Sequence, residues 1–208
     1  MDSAKALSTL YKKIEKAIKD LPLAHSAKDI VPGDGSASAS ILFIGEAPGY
    51  HESVERRPFV GVSGKLLRKT IDEVGLKPET YYISNIVKVR PPNNRDPLPE
   101  EILAYKPFLD KEIEIINPEL IVTLGRFSMA KFLPDVKISQ VHGRIHKLKW
   151  EGHLQYVFPM YHPAAALRSG QMRAHFLEDM KKMPKVIQWI KDQKELKNQT
   201  ELVKDILL

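Results

Sequence analysis

The 208-residue chain contains no cysteine, and that absence excludes disulfides, thiolate zinc sites and thiolate-held iron–sulfur clusters. It also lacks any run of about 18 apolar residues, the length a helix needs to span a bilayer. The N-terminal stretch MDSAKALSTLYKKIEKAIKD is amphipathic and charged where a secretory leader carries an apolar centre. The expectation is a cytoplasmic, nucleoid-associated intracellular protein with no membrane partner. Internal repeats and low-complexity tracts are missing as well. The reading is therefore one domain over 1–208, with a core at about 22–191 and a peripheral C-terminal helix or tail at 192–208. An acidic excess is absent too: 32 Lys and Arg face 26 Asp and Glu, a net charge of +6, which favours polyanionic partners such as nucleic acid.

What is present is an alternation of two periodicities. Leu7, Leu10, Tyr11, Ile14, Ala17, Ile18 and Leu21 recur every three or four residues, the spacing of a helix with one buried face. The turn-rich connector PGDGSASAS leads into ILFIG, a short continuous apolar run of the kind found in strands covered on both faces. Helix SGKLLRKTIDEVG, strand YYISNIV, helix LPEEILAYKPFLDKEIEIIN, strand ELIVTLG and helix RFSMAKFL follow. RIHKLKW and LQYVFPM read as a hairpin turning at Glu151 and Gly152, and a helix begins at about Gln171. Strands alternating with helices imply an α/β fold, a three-layer α/β/α sandwich around a mainly parallel sheet of four or five strands.

Open sheets of this type bind ligands beyond the carboxyl ends of their strands. Four loops leave from there: GEAPGYHE, SNIVKVRPPNNRDP, GRFS and MYHPAAALR. Glu46 lies between Gly45 and a Pro48-Gly49 turn, where a carboxylate can activate water or, alternatively, cap a helix or pair with a cation. Phe59 could stack on a planar base or simply fill the core. The Asn85 amide offers a donor and an acceptor to the edge of a pyrimidine, or could tie two loops together. His162, held before Pro163, can donate to an oxygen that becomes negative as a bond breaks. His142, His146 and His153 match no zinc spacing, and no GKS or GKT follows the glycines as a phosphate-cradling loop requires.

Taken together, GEAPG, PFVGVSGKLL, NIVKVRPPNNRDPLPEEI, PELIVTLGRFS and YHPAAALR closely resemble the family-4 uracil-DNA glycosylases, over roughly residues 41 to 180. The resemblance implies hydrolysis of the N-glycosidic bond of deoxyuridine in DNA, starting base excision repair; a monomer is expected and, without cysteine, no cofactor. It places Glu46 at the attacking water, Phe59 on the uracil ring, Asn85 at the base edge and His162 at uracil O2. It adds Gly45, Ala47, Gly49 and Tyr50 to the base pocket. Arg57, Lys88, Arg90, Asn94, Arg95, Ala165 and Arg168 are the expected DNA contacts. Two alternatives stay open: a glycosylase for hypoxanthine or xanthine, and a module that binds damaged or single-stranded DNA without cleaving it.

The chain departs from the family's pattern in three places. Family-4 enzymes typically hold a [4Fe-4S] cluster on four cysteines, and the counterparts here are Ile18, Leu21, Val89 and Tyr105, which read as an apolar plug. Arg56 stands where the family usually has glycine. Tyr50 follows the motif glycine, where it could exclude the thymine methyl or merely pack. The relative that traps its product covalently uses a histidine after the second strand, and VRPPNNRDP has none, so ordinary turnover is expected.

Overall fold

A computed structural model describes residues 2–207, with side chains through Lys197 and at Gln199. Helix α1 (Ser3–Lys16) starts on Asp2, whose side chain accepts from the Ala4 N–H, and has Lys13 and Lys16 in its last turn, where cations suit the dipole. The strands are β1 (Asp34–Gly35), β2 (Ile41–Gly45), β3 (Tyr81–Asn85), β4 (Leu120–Leu124), β5 (His146–Trp150) and β6 (His153–Met160). The remaining α-helices are α2 (Tyr50–Glu55), α3 (Val62–Glu73), α4 (Pro99–Ile116), α5 (Arg126–Ala130), α6 (Ile138–Val141), α7 (Pro163–Arg168) and α8 (Gly170–Leu207).

The sheet order is β1-β3-β2-β4-β6-β5. The four inner strands run parallel, and β1 and β5 pair antiparallel at the two edges. The sixth strand is β1, two residues inside the connector that reads as turns, paired with Tyr82 and Ile83. The hairpin turns where expected, with Glu151 at φ 46° and Gly152 at φ 81°. Two consecutive positive φ angles match the twist of the flanking strands.

Strand periodicity creates the three layers. In β2, Leu42 and Ile44 face one core with Leu7, Leu10 and Ile14 of α1 and Tyr105, Leu109 and Ile113 of α4. Ile41 and Phe43 face the other, with Leu67 and Ile71 of α3 and Phe176, Met180 and Met183 of α8. The core therefore begins earlier than residue 22, because α1 is buried along one face. Helix α8 continues without a break through Pro184 to Leu207, so the expected tail is helical as far as it is described, and Leu208 lies outside the described residues.

All four inner strands end at the same edge. Glu46, Asn85, Gly125 and the Tyr161-His162 pair each follow or close one of them, so residues distant in sequence are delivered to one rim.

Candidate active site

A cleft of about 680 Å³ opens at that rim. Glu46, Phe59, Asn85 and His162 all line it, together with Ala47, Gly49, Asn94, Arg95, Ala165 and Arg168. Gly45 is not among the lining residues but lies directly against two of them, Asn85 and Phe59. A Cβ on Gly45 would lie 2.4 Å from Asn85 Oδ1 and 2.5 Å from Phe59 Cζ, so only glycine lets these two side chains meet there.

Asn85 is 4% exposed, and its Oδ1 is buried without a hydrogen-bond partner. A buried acceptor left unpaired is costly unless a ligand supplies the donor. The backbone around it is tied to β2: Ile86 N donates to Gly45 O at 3.0 Å and Val87 N to Glu46 O at 3.1 Å. Asn85 and Glu46 are thus set in register by the sheet itself.

The Phe59 ring faces His162, with centroids 5.8 Å apart and planes tilted by 34°. Phe59 has φ 55°, a left-handed conformation that costs a non-glycine residue energy. Two clamps hold it. Glu52, unassigned by the sequence, accepts from Gly49 N at 3.1 Å, Val60 N at 3.0 Å and Gly61 N at 2.8 Å. Arg68 donates to Phe59 O at 3.0 Å and Pro58 O at 2.9 Å while pairing with Asp34 at 2.8 Å. The carboxylate takes the loop's N–H groups and the guanidinium takes its carbonyls. Glu52 also joins that loop to the turn after Glu46.

His162 caps α7, and its Nδ1 accepts from Ala164 N at 3.1 Å. An accepting Nδ1 places the proton of the neutral ring on Nε2, leaving that N–H as a donor. Burial, reinforced by the positive charge of Arg168 and opposed by Glu52, pushes His162 down to about 4, so the ring is neutral at physiological pH. Glu46 moves the other way. Burial and the nearby Asp96 carboxylate, opposed by Arg126, push it up to about 7. Asp96 and Arg126 line the cleft as an exposed ion pair. The loops GRFS and SNIVKVRPPNNRDP contain Arg126 and Asp96, but nothing in either marks the residue.

Chemically, the cleft presents a buried acceptor, a neutral imidazole donor, an aromatic face and a carboxylate poised between its charge states. That set suits a planar heterocycle with a lactam edge and a bond beside it that breaks heterolytically. The uracil-DNA glycosylase superfamily model matches residues 32–183. The chain belongs to the uracil-DNA glycosylase superfamily. It is 42% identical over 193 residues to the type-4 uracil-DNA glycosylase of Saccharolobus solfataricus, covering 90% of this chain and 88% of that one. It is 47% identical over 185 residues to that of Sulfurisphaera tokodaii, with 85% and 84% covered. To that of Archaeoglobus fulgidus it is 42% identical over 166 residues, with 76% and 83% covered.

Besides Gly45, four residues expected at the base or the DNA are not among those lining the cleft of this superfamily member. Tyr50 begins α2 outside the cleft lining, 57% exposed, with the Arg90 guanidinium 5.2 Å from its ring centre. Arg90 donates to Asn94 Oδ1 at 2.7 Å, at the rim. Arg57 is exposed and bonded to Asp34 at 2.9 Å. Lys88 is fully buried against Glu112 and cannot reach a phosphate, because a charge of opposite sign fixed inside the fold holds it there.

The counterparts of the cluster cysteines do not suit an iron–sulfur cluster. Leu21, Val89 and Tyr105 are buried in one apolar core with Ala17 packed against it, and the Tyr105 hydroxyl donates to Pro22 O at 2.8 Å. Ile18 is half-buried and is not among the side chains packed into that core. None of these offers a thiolate. Arg56 has φ 51°, which explains glycine as the usual residue, and its side chain is anchored on Ile30 O at 3.0 Å and Glu15 at 2.6 Å.

Proposed function

We propose that this chain hydrolyses the N-glycosidic bond of deoxyuridine in DNA, releasing uracil and leaving an abasic site, the first step of base excision repair. The observation that carries the reading is the unpartnered Asn85 Oδ1, buried in the cleft that Phe59 and His162 also line. Uracil presents N3–H beside O4, and an amide can accept from the first while donating to the second. Cytosine presents the reverse pattern, so the same amide leaves buried groups unpaired.

The target nucleotide leaves the stack at a cost of a few kcal/mol, offset by stacking on Phe59 and by the base-edge bonds. Ionised Glu46 orients a water on the C1′ side of the sugar and stabilises its oxocarbenium character. The C1′–N1 bond breaks with its electron pair going to uracil, and His162 Nε2–H donates to O2 as that oxygen gains charge. The water adds to C1′, and its released proton passes to the Glu46 carboxylate or to solvent. The neutral His162 gives a hydrogen bond without giving up its proton, which suits a leaving group that departs as an anion. Asn94, Arg95 and Arg168 line the cleft as donors for the flanking phosphates.

The test is release of uracil from single- and double-stranded oligonucleotides under single-turnover conditions, followed by alkaline cleavage. Oligonucleotides carrying hypoxanthine or xanthine run beside them, since those bases share the lactam edge on a larger ring. No abasic product from uracil would overturn the proposal, and faster release of either purine would redirect it.

A further inference from the structure

Lys88 lies in the loop that follows β3, and none of its surface reaches solvent. An ammonium has three protons, and each has an acceptor inside the fold. Nζ donates to Asn85 O at 3.0 Å, to Ser84 Oγ at 2.5 Å and to the Glu112 carboxylate of α4. Ser84 Oγ in turn donates to Glu112 Oε2 at 2.9 Å. Tyr11 of α1 donates to the other Glu112 oxygen and accepts from Gly33 N at 2.6 Å. A closed polar network therefore runs from α1 through α4 to the end of β3, within an otherwise apolar layer.

We propose that Lys88 is a positioning residue for Asn85, setting the peptide plane from which the base-reading amide projects; this rests on the uracil-reading role given to Asn85 above. The geometry supports the assignment on two counts. The N–H groups of Ile86 and Val87 are spent on β2, so the Asn85 carbonyl sits where the chain leaves the ladder, and Lys88 Nζ holds it there. The Asn85 side chain also has no room for error, because Oδ1 occupies space that a Cβ on Gly45 would share. Buried ion pairs can often be replaced by apolar pairs at little or no loss of stability, so the energetic case for this network is weaker than its positional one. Lys88 and its neighbour Val89 anchor the segment between Asn85 and Arg90 from two directions, one polar and one apolar.

The experiment compares wild type, Asn85→Ala, the apolar pair Lys88→Met/Glu112→Leu, and the triple variant, each assayed well below its melting temperature. The readouts are the Kd for abasic-site DNA with its salt dependence, the Ki of free uracil, and the single-turnover rate on a uracil oligonucleotide. The expected result for the apolar pair is abasic-DNA binding within about twofold of wild type at an unchanged salt slope. Uracil affinity and turnover fall about tenfold or more, because a 1 Å misplacement is enough for losses of that size. In the Asn85→Ala background the same pair produces little further loss, the non-additivity of residues acting through one group. Glu112→Gln keeps the side-chain shape and gives an intermediate loss, which serves as the readout if the apolar pair does not fold.

Unchanged uracil affinity and turnover in the folded pair, or full additivity with Asn85→Ala, would overturn the assignment. A salt slope reduced by about one would also overturn it, returning Lys88 to a phosphate. The parent reading fails separately: wild type would release no uracil, or Asn85→Ala would release it at the wild-type rate.

Discussion

Phe59 and Asn85 meet above the bare Cα of Gly45, each within 2.5 Å of where a methyl group on that carbon would sit. The ring proposed to stack on the base and the amide proposed to read it are therefore spaced by the absence of an atom. Gly45→Ala is expected to leave the α/β/α fold intact while displacing one of the two, and a shift of about 1 Å at a reacting centre costs on the order of a hundredfold. Single-turnover rates combined with a circular dichroism melt check this. A near-wild-type rate would show that the two side chains need not meet over Gly45.

The charge state of Glu46 predicts the pH profile. In the proposed mechanism the carboxylate acts when ionised, and it is pushed up to about 7, so the single-turnover rate is expected to rise about tenfold per pH unit below 7 and to level off above it. Asp96→Asn removes a neighbouring negative charge and moves the limb to lower pH. Arg126→Gln removes the opposing positive charge and moves it to higher pH. His162, near 4, adds no second limb between pH 5 and 8. Stopped-time assays across that range, at constant ionic strength, decide the matter.

Base selectivity should follow the Asn85 amide. Asn85→Ala is expected to slow uracil release by about a hundredfold or more. Asn85→Asp keeps the size but presents only acceptors, which disfavours uracil O4 and suits the N4–H₂ donor of cytosine. The ratio of uracil to cytosine excision on matched oligonucleotides should therefore fall further for Asp than the loss of uracil activity in the Ala variant alone would produce. A ratio unchanged in both would separate Asn85 from recognition.

Tyr105 predicts the behaviour of the region where relatives of this pattern hold a cluster. Incubation with a chelator is expected to leave uracil release unchanged, since the packed residues there are Leu21, Val89 and Tyr105. Tyr105→Phe removes the bond to Pro22 O, costing about 1 kcal/mol. For a chain of this size that is a fall of about 2–4 °C in melting temperature. Activity at 25 °C should persist. Scanning calorimetry and an iron assay on the purified protein test both halves.

The sheet is readable from ILFIG and ELIVTLG because strands buried on both faces have to be continuously apolar. Strand β1 is not, since two residues at an edge carry no periodicity. Helix α2 is hidden for a related reason: Tyr50 and Val54 are exposed and leave no apolar stripe. At the site, Glu46, Phe59, Asn85 and His162 are legible because each stands at a strand end or a glycine-marked loop. Lys88 reads as one more cation among Arg90 and Arg95, because the carboxylate that holds it inside lies on α4, a separate element. Glu52 and Arg68 escape for the same reason, as their partners are backbone groups that only folding brings near.

The apolar junction of Leu21, Val89 and Tyr105 changes how this glycosylase comes into being. A chain whose N-terminal helix is docked by hydrocarbon and one tyrosine hydroxyl depends on no assembly machinery to finish it, and its competence is independent of the supply of iron and sulfide. Oxidants that bleach metal clusters find no target there, so the fold at this junction is insensitive to redox conditions.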